Sequence, residues 1–329
     1  MRDILLPLAL CLAGCSGQLS VSDEGSAVQA LAASRPPNVP ADFVLTHHGY
    51  FHPSCNVLVG KGETINSDGD IVQVDGSVRT VPSCLYPHYD DDGNDVTNAS
   101  VPGQRSKADS SPHPNVNHTA NGWEAEFDTI PSGDVTYFSA TFGVLSGPAS
   151  NGADIALFPG LQQAGTSDEI IQPVLDYGDG AYHWQVRVEN CCFGGHNYYD
   201  SYTSVNVGDT ITGYMYPVSD PMNLCLGDVG RFYVAINDNG GLVNDYYVCN
   251  WLHMNQIFGG VLEVHYLNAC NQLPQTGTGE AFYNEVAYIN GNPFTFPSTW
   301  AHNTGTFSPN CAPGSSGSGT GGGIWWRDF

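Results

Sequence analysis

The stretch EIIQPVLDYG, Glu169 to Gly178, carries the first clear statement of fold. With a period of two, Ile170, Gln172, Val174 and Asp176 share one face, and Ile171, Pro173, Leu175 and Tyr177 share the other. That alternation reads as a strand with one apolar face and one face that mixes aliphatic groups with an amide and a carboxylate. A buried amide left unpaired costs about 1–3 kcal/mol. Gln172 therefore belongs either to a solvated strand end or to a face lining a groove where an amide has chemistry to do.

The same texture extends outward in both directions. WEAEFDTI, VTYFSATFGVL, ADIALFPGL, YHWQVRVEN, TITGYMYPV, RFYVAIND, NDYYVCNWL, GGVLEVHYL and EAFYNEVAYI are short β-type runs, separated by Gly, Asn, Asp and Pro. No stretch offers an amphipathic helix. The expected class is all-β, a two-sheet antiparallel sandwich over residues 120–311. Before it, residues 42–95 form short β-type runs broken by SDGD and VDGS turns, and read as a small N-terminal β unit. Residues 96–119 lack a periodic apolar face and read as a linker open to proteolytic nicking near Lys107. The tail, residues 312–329, runs APGSSGSGTGGG into IWWRDF and reads as a flexible linker ending in an aromatic hexapeptide that docks either on the body or on a partner.

The chain opens MRDILLPLALCLAGCSG, a short apolar export segment. Its Leu-Ala-Gly-Cys string resembles a bacterial lipoprotein signal, which implies a signal peptide over 1–15, lipidation of Cys15, and an outer-membrane or cell-surface location; plain secretion is the alternative. Residues 16–41, with Pro36, Pro37 and Pro40, then read as a tether.

Apart from Cys11 and Cys15, eight cysteines remain: Cys55, Cys84, Cys191, Cys192, Cys225, Cys249, Cys270 and Cys311. An even set in an exported chain reads as disulfides, with Cys55 and Cys84 the local bridge and the other pairings open. Zinc is the competing reading, but the sequence has no CxxC or HExxH, and adjacent Cys191 and Cys192 lack ligand spacing. The turn Asp90 to Asp95 alternates carboxylates but has no downstream bidentate Glu, so it reads as a solvated turn rather than a calcium loop. No metal or other cofactor is expected.

Nine Lys and Arg stand against thirty-three Asp and Glu, a net charge of −24. Such a surface repels nucleic acid. It suits an acidic medium, or equally a saline one. Six of the eleven histidines (His47, His48, His52, His88, His113 and His118) precede Thr119, opposite the acidic body. Histidines that charge as pH falls would alter that contact, so the N-terminal unit reads as a pro-segment or lid, or as an accessory β module.

The chain has no GxSxG, and its histidines sit in strand contexts. The informative side chains are Gln172, Glu189 and Glu263, each in an apolar run. Val261, Glu263 and His265 share a face, and a body with so few cations leaves such a carboxylate little to pair with.

The succession VTYFSATFGVLSGP, ADIALFPGLQ, EIIQPVLDYG, YHWQVRVEN, VNVGDTITGYM and GGVLEVHYLNACNQLP resembles the glutamic peptidases of the eqolisin type, over roughly residues 120–311. The resemblance implies a concanavalin A-like jelly roll with a catalytic Gln and Glu on its concave face. It assigns those roles to Gln172 and Glu263, and places Trp184, Phe158 and Asp176 at the substrate cleft. The turn Val207 to Ile211 matches a family hairpin. Phe158 stands where the family has a Trp-containing strand, Val264 replaces a Trp after the acid, and Glu280 and Glu285 offer a second register for that acid. The implied function is acid endopeptidase, acting as a monomer on polypeptide, with Glu263 and Gln172 activating water and the membrane met only through the lipid anchor. The alternatives are a glycan-binding or glycan-cleaving lectin-like surface protein, favoured by the Tyr and Trp content, and a non-enzymatic surface lipoprotein.

Overall fold

The computed structural model describes residues 35–90, 92–97, 122–164, 170–179, 181–227, 229–251, 253–276, 279–304 and 309–327. The expected signal peptide over 1–15 with its lipidation site Cys15, most of the expected tether and nearly all of the expected linker lie outside the described residues.

In chain order the first strands are β1 (Val44–Thr46), β2 (Gly49–Phe51), β3 (Asn56–Leu58), β4 (Thr64–Ile65), β5 (Ile71–Val72) and β6 (Val78–Arg79). The body follows with β7 (Gly122–Thr129), β8 (Val135–Gly143), β9 (Asp154–Gln162), β10 (Ile170–Tyr177), β11 (Trp184–Cys191), β12 (Asn197–Tyr199), β13 (Thr203–Ser204) and β14 (Thr210–Val218). It continues through β15 (Val229–Asp238), β16 (Gly241–Trp251), β17 (Gln256–His265), β18 (Glu280–Ile289), β19 (Asn292–Pro293) and β20 (Ala301–Thr304). The last strands are β21 (Gly314–Ser318) and β22 (Gly321–Trp325).

Among the described residues these strands make two large sheets and a small hairpin. The first sheet runs β20-β7-β17-β9-β10-β11-β12-β3, with β13 also on β11. The second runs β21-β22-β18-β8-β14-β15-β16-β4-β5-β6, with β19 on β18, and β1 pairs only with β2. Pairing is antiparallel except where β3 joins β12 and β4 joins β16. The fold is therefore all-β, a two-sheet sandwich.

Between the sheets lies an apolar core that includes Ile155, Leu157, Leu175, Val186 and Val188 from the first sheet and Phe138, Phe142, Ile211, Met215 and Phe232 from the second. Burying each such side chain contributes about 1.5–3 kcal/mol. The sheets differ on their other faces. In β14 buried and half-buried positions alternate, as expected of a sheet with one solvated face. By contrast β9, β10, β11 and β17 are buried along both faces almost throughout. The face of the first sheet turned away from the core thus holds polar side chains out of water.

Two segments differ from the sequence reading. Residues 56–79 extend both sheets, β3 at the edge of one and β4 to β6 at the edge of the other, so this part of the N-terminal unit belongs to the sandwich. Exposed edge groups of β12 and β16 are thereby paired. The Gly- and Ser-rich tail is a hairpin, β21 with β22, docked on β18, rather than a flexible linker. Its composition serves close packing: a Cβ at Gly317 would lie 2.6 Å from Phe127 and 2.7 Å from Trp300, and one at Gly322 would lie 2.5 Å from Phe127. Trp326 is buried beyond the hairpin and donates from Nε1 to the Pro274 carbonyl at 2.9 Å.

The disulfides are Cys55–Cys84, Cys191–Cys192, Cys225–Cys249 and Cys270–Cys311. The first was expected from sequence. The fourth anchors the base of the tail hairpin to the loop after β17.

Candidate active site on the outer face of the first sheet

Strand parity decides which side chains meet. In β10 the face opposite the core carries Ile170, Gln172, Val174 and Asp176, and across β11 the register sets Gln172 against Glu189 and Asp176 against Gln185. The amide of Gln172 donates from Nε2 to Glu189 Oε2 at 3.3 Å, and both side chains are fully buried. Its carbonyl, Oε1, has no hydrogen-bond partner. Arg187, two residues before Glu189 and so on the same face, donates from Nε to Glu189 Oε1 and from Nη1 to Asp179 at 3.2 Å.

A residue from far away in the chain closes this network. The turn between β1 and β2 inserts His47, 2 % exposed, so that Nδ1 lies 3.0 Å from Glu189 Oε1 and Nε2 lies 2.8 Å from Asp176 Oδ2. His48 Nε2 approaches Glu189 Oε2 at 3.4 Å. The turn can reach in because Thr46 Oγ1 donates to the Gly49 carbonyl at 3.0 Å and accepts from the His48 amide at 3.1 Å. Gly49 has φ 92°, a left-handed conformation that glycine adopts without steric cost.

The electrostatics follow from these contacts. Burial would push the Glu189 carboxyl up, but Arg187 and His47 outweigh it and hold the group well below the usual carboxylate range. Burial likewise opposes charge on His47, yet Glu189, Asp154 and Asp176 around it raise its pKa well above the usual histidine value. Asp176, desolvated and next to the Asp154 carboxylate, is pushed up to about 8. Glu126 on β7 is also raised to about 8, by burial and by Asp128.

Glu263 lies on the same outer face, 1 % exposed, with Oε1 3.2 Å from His265 Nε2. Its row runs from Glu263 to Ala156 on β9 and then to Asp176 on β10. Gln172 is four residues further along β10, about 13 Å in the strand direction. The register thus brings Glu263 level with Asp176 and sets Gln172 against Glu189. Phe158 is on this face too, in an apolar cluster with Ile170, Val174, Phe258, Val261 and Trp123.

Trp184, expected at the cleft, lies instead in the core between the sheets. It pairs with Tyr177 rather than Asp176, meets the Tyr177 ring at 5.2 Å, and is 3 % exposed. One position of parity decides this: Gln185, Arg187 and Glu189 take the outer face, so Trp184 takes the inner. Glu280 is on the second sheet, accepting from the Gly143 amide at 2.9 Å, and Glu285 is buried on that same strand. Sequence reasoning singled out Glu189 without a partner and His47 only as one of six N-terminal histidines. No local pattern could join residue 47 to residues 176 and 189.

No family model matches this sequence, and no curated protein matches it. Solved structures similar to the chain include scytalido-glutamic peptidase with a transition state analog inhibitor, at 16 % identity and TM-score 0.42, covering 63 % of this chain and 98 % of that one. A second structure of scytalido-glutamic peptidase, with a peptide-based transition state analog, is similar at 15 % identity and TM-score 0.38, with the same 63 % and 98 % coverage. SCP-B, a member of the eqolisin family of peptidases, in a complex with the tripeptide Ala-Ile-His, is similar at 14 % identity and TM-score 0.35, again covering 63 % of this chain and 98 % of that one.

Proposed function

We propose that the outer face of the first sheet hydrolyses peptide bonds in acid, with a carboxylate and Gln172 activating water. The observation that carries this reading is the buried contact of 3.3 Å between Gln172 Nε2 and Glu189 Oε2, beside an amide carbonyl with no partner. The carboxylate takes a proton from water as that water attacks the substrate carbonyl. Gln172 holds the water through Oε1, and its amide N–H donates to the developing oxyanion. The protonated carboxyl then returns the proton to the leaving nitrogen. Contact geometry supports Glu189 as that carboxylate, and the sequence resemblance supports Glu263. Phe158 and its apolar neighbours would hold substrate side chains, and Asp176 would lie at the far end of the same face. His47 and His48 occupy Glu189 here, so substrate reaches the pair only once the hairpin β1–β2 withdraws. The polypeptide substrate, the export of the chain and its lipid anchor at Cys15 belong to the same proposal.

A second reading rests on the outer face of the second sheet. Tyr137 and Tyr216 lie 5.7 Å apart, Tyr216 and Tyr233 5.4 Å, Tyr233 and Tyr247 5.0 Å, and Tyr137 and Tyr288 5.9 Å. Arg231 covers the end of this row at 4.0 Å from the Tyr247 ring. Such a row across five strands favours glycan binding.

The test is a digest of a denatured protein between about pH 2 and 7, read by mass spectrometry, with Glu189→Gln and Glu263→Gln beside the unaltered chain. Cleavage in acid that resists serine and cysteine reagents, and is lost in Glu189→Gln, is the expected result. Loss in Glu263→Gln alone would move the acid to Glu263. No cleavage at any pH, with retention on a polysaccharide column, would overturn the peptidase reading in favour of the second.

A further inference from the structure

Beside Glu189 the inserted histidine meets two more carboxylates. His47 Nε2 lies 2.8 Å from Asp176 Oδ2 and 3.9 Å from Asp154 Oδ1. One donor atom from each of these three residues lies within 4.8 Å of the others. Asp154 Oδ1 is buried and accepts no hydrogen bond. The two carboxylates come from adjacent strands, Asp154 at the start of β9 and Asp176 near the end of β10, and the third donor comes from the hairpin. A tetrahedral zinc ion with bonds of about 2.1 Å keeps its ligands about 3.4 Å apart, so the separations between the three donors need to change by about 1.4 Å or less.

The surroundings are those of a metal-binding histidine. The other ring nitrogen, Nδ1, lies 3.0 Å from Glu189 Oε1, a fully buried carboxylate able to hold the tautomer that leaves Nε2 free to ligate. Gln185 Nε2 donates to the second oxygen of Asp176 at 3.2 Å, which fixes that carboxylate while Oδ2 points to His47. Two of the three donor residues, His47 and Asp176, are thus each held by a second buried side chain.

The geometry points to a divalent-cation seat formed by His47, Asp154 and Asp176, which fastens the hairpin β1–β2 to the outer face of the first sheet. One imidazole and two carboxylates favour a borderline ion such as Zn2+ over Mg2+, which prefers an all-oxygen shell and keeps its waters. Ligation needs a neutral imidazole and ionised carboxylates, so the protons held on the three donors leave to solvent as the ion binds. The inference stands apart from the peptidase reading, because it concerns what holds the hairpin in place.

The experiment is calorimetric titration of the full chain, dialysed against a chelator, with ZnCl2 and separately with MgCl2 at neutral pH in two buffers of different ionisation enthalpy. Asp154→Asn is the informative variant, since it keeps the shape of the side chain, breaks no hydrogen bond at Oδ1, and removes only the negative charge 3.9 Å from His47 Nε2. The expected result is one Zn2+ per chain with proton release, a rise in melting temperature, Mg2+ at least tenfold weaker, and Zn2+ at least tenfold weaker in Asp154→Asn. No saturable Zn2+ binding, or equal binding by the unaltered chain and Asp154→Asn, overturns the assignment. Loss of peptide cleavage with Zn2+ binding intact would leave the seat standing and remove only the peptidase reading.

Discussion

Glu285 makes the acid preference of this fold measurable. In β18 the inward positions are Glu280 and Phe282, and then the pattern slips by one, so that Glu285 and Ala287 point in. The slip is a bulge between Tyr283 and Val286, where Asn284 takes φ 52°. It turns Glu285 inward, 1 % exposed, with neither carboxylate oxygen hydrogen-bonded. Burial alone raises its pKa from the ordinary 4.5 to about 8. Between those values the folded chain holds a proton that the unfolded chain has released. Stability is therefore complete below pH 4.5 and declines as pH rises toward 8. At about 1.4 kcal/mol for each pH unit, the decline amounts to about 5 kcal/mol at most. Glu126 and Glu280, raised to about 8 and about 7, act in the same direction. Glu285→Gln keeps the shape of the protonated side chain and cannot ionise. Urea unfolding at pH 4, 6 and 8, with disulfides intact, measures the difference between the two proteins. The variant should match the unaltered chain at pH 4 and exceed it by several kcal/mol at pH 8, with an unchanged m-value. Parallel stability curves over that range would refute the argument that an unpaired, desolvated carboxyl drives the trend.

Gly317→Ala should lower stability by about 1–3 kcal/mol by forcing a methyl against Phe127 and Trp300, and thermal unfolding would show it. A flexible tail would tolerate the change without cost. Trp184→Ala should cost about 3–5 kcal/mol as a core truncation. If cleavage is observed, the folded variant should keep the KM of the unaltered chain, whereas a cleft residue would raise it.

Much of the fold was legible because a strand's period is local. The alternation of EIIQPVLDYG already puts Gln172 and Asp176 on one face, and the even spacing of turn residues already announces a sandwich. Docking of the tail's aromatic end on the body was one of two sequence expectations, but the hairpin in its Gly-Ser run was not legible, because glycine has two uses: its freedom of backbone and its lack of a Cβ. Here the second governs, since Phe127 and Trp300 fill the space that side chains would need. Trp184 was misplaced because a family motif names a neighbour in sequence, and a shift of one residue sends a side chain through the sheet.

By itself, then, the sequence determined the strand class, the face shared by Gln172 and Asp176, the Cys55–Cys84 bridge and an acidic surface with few cations. Tertiary structure alone decided which face of each strand meets the second sheet, and that Glu189 rather than Glu263 stands against Gln172. It also brought His47 across 129 residues to Asp176 and 142 to Glu189. The physical reason is that register is set by non-local pairing, and bulges such as those in β17 and β18 shift it by whole residues.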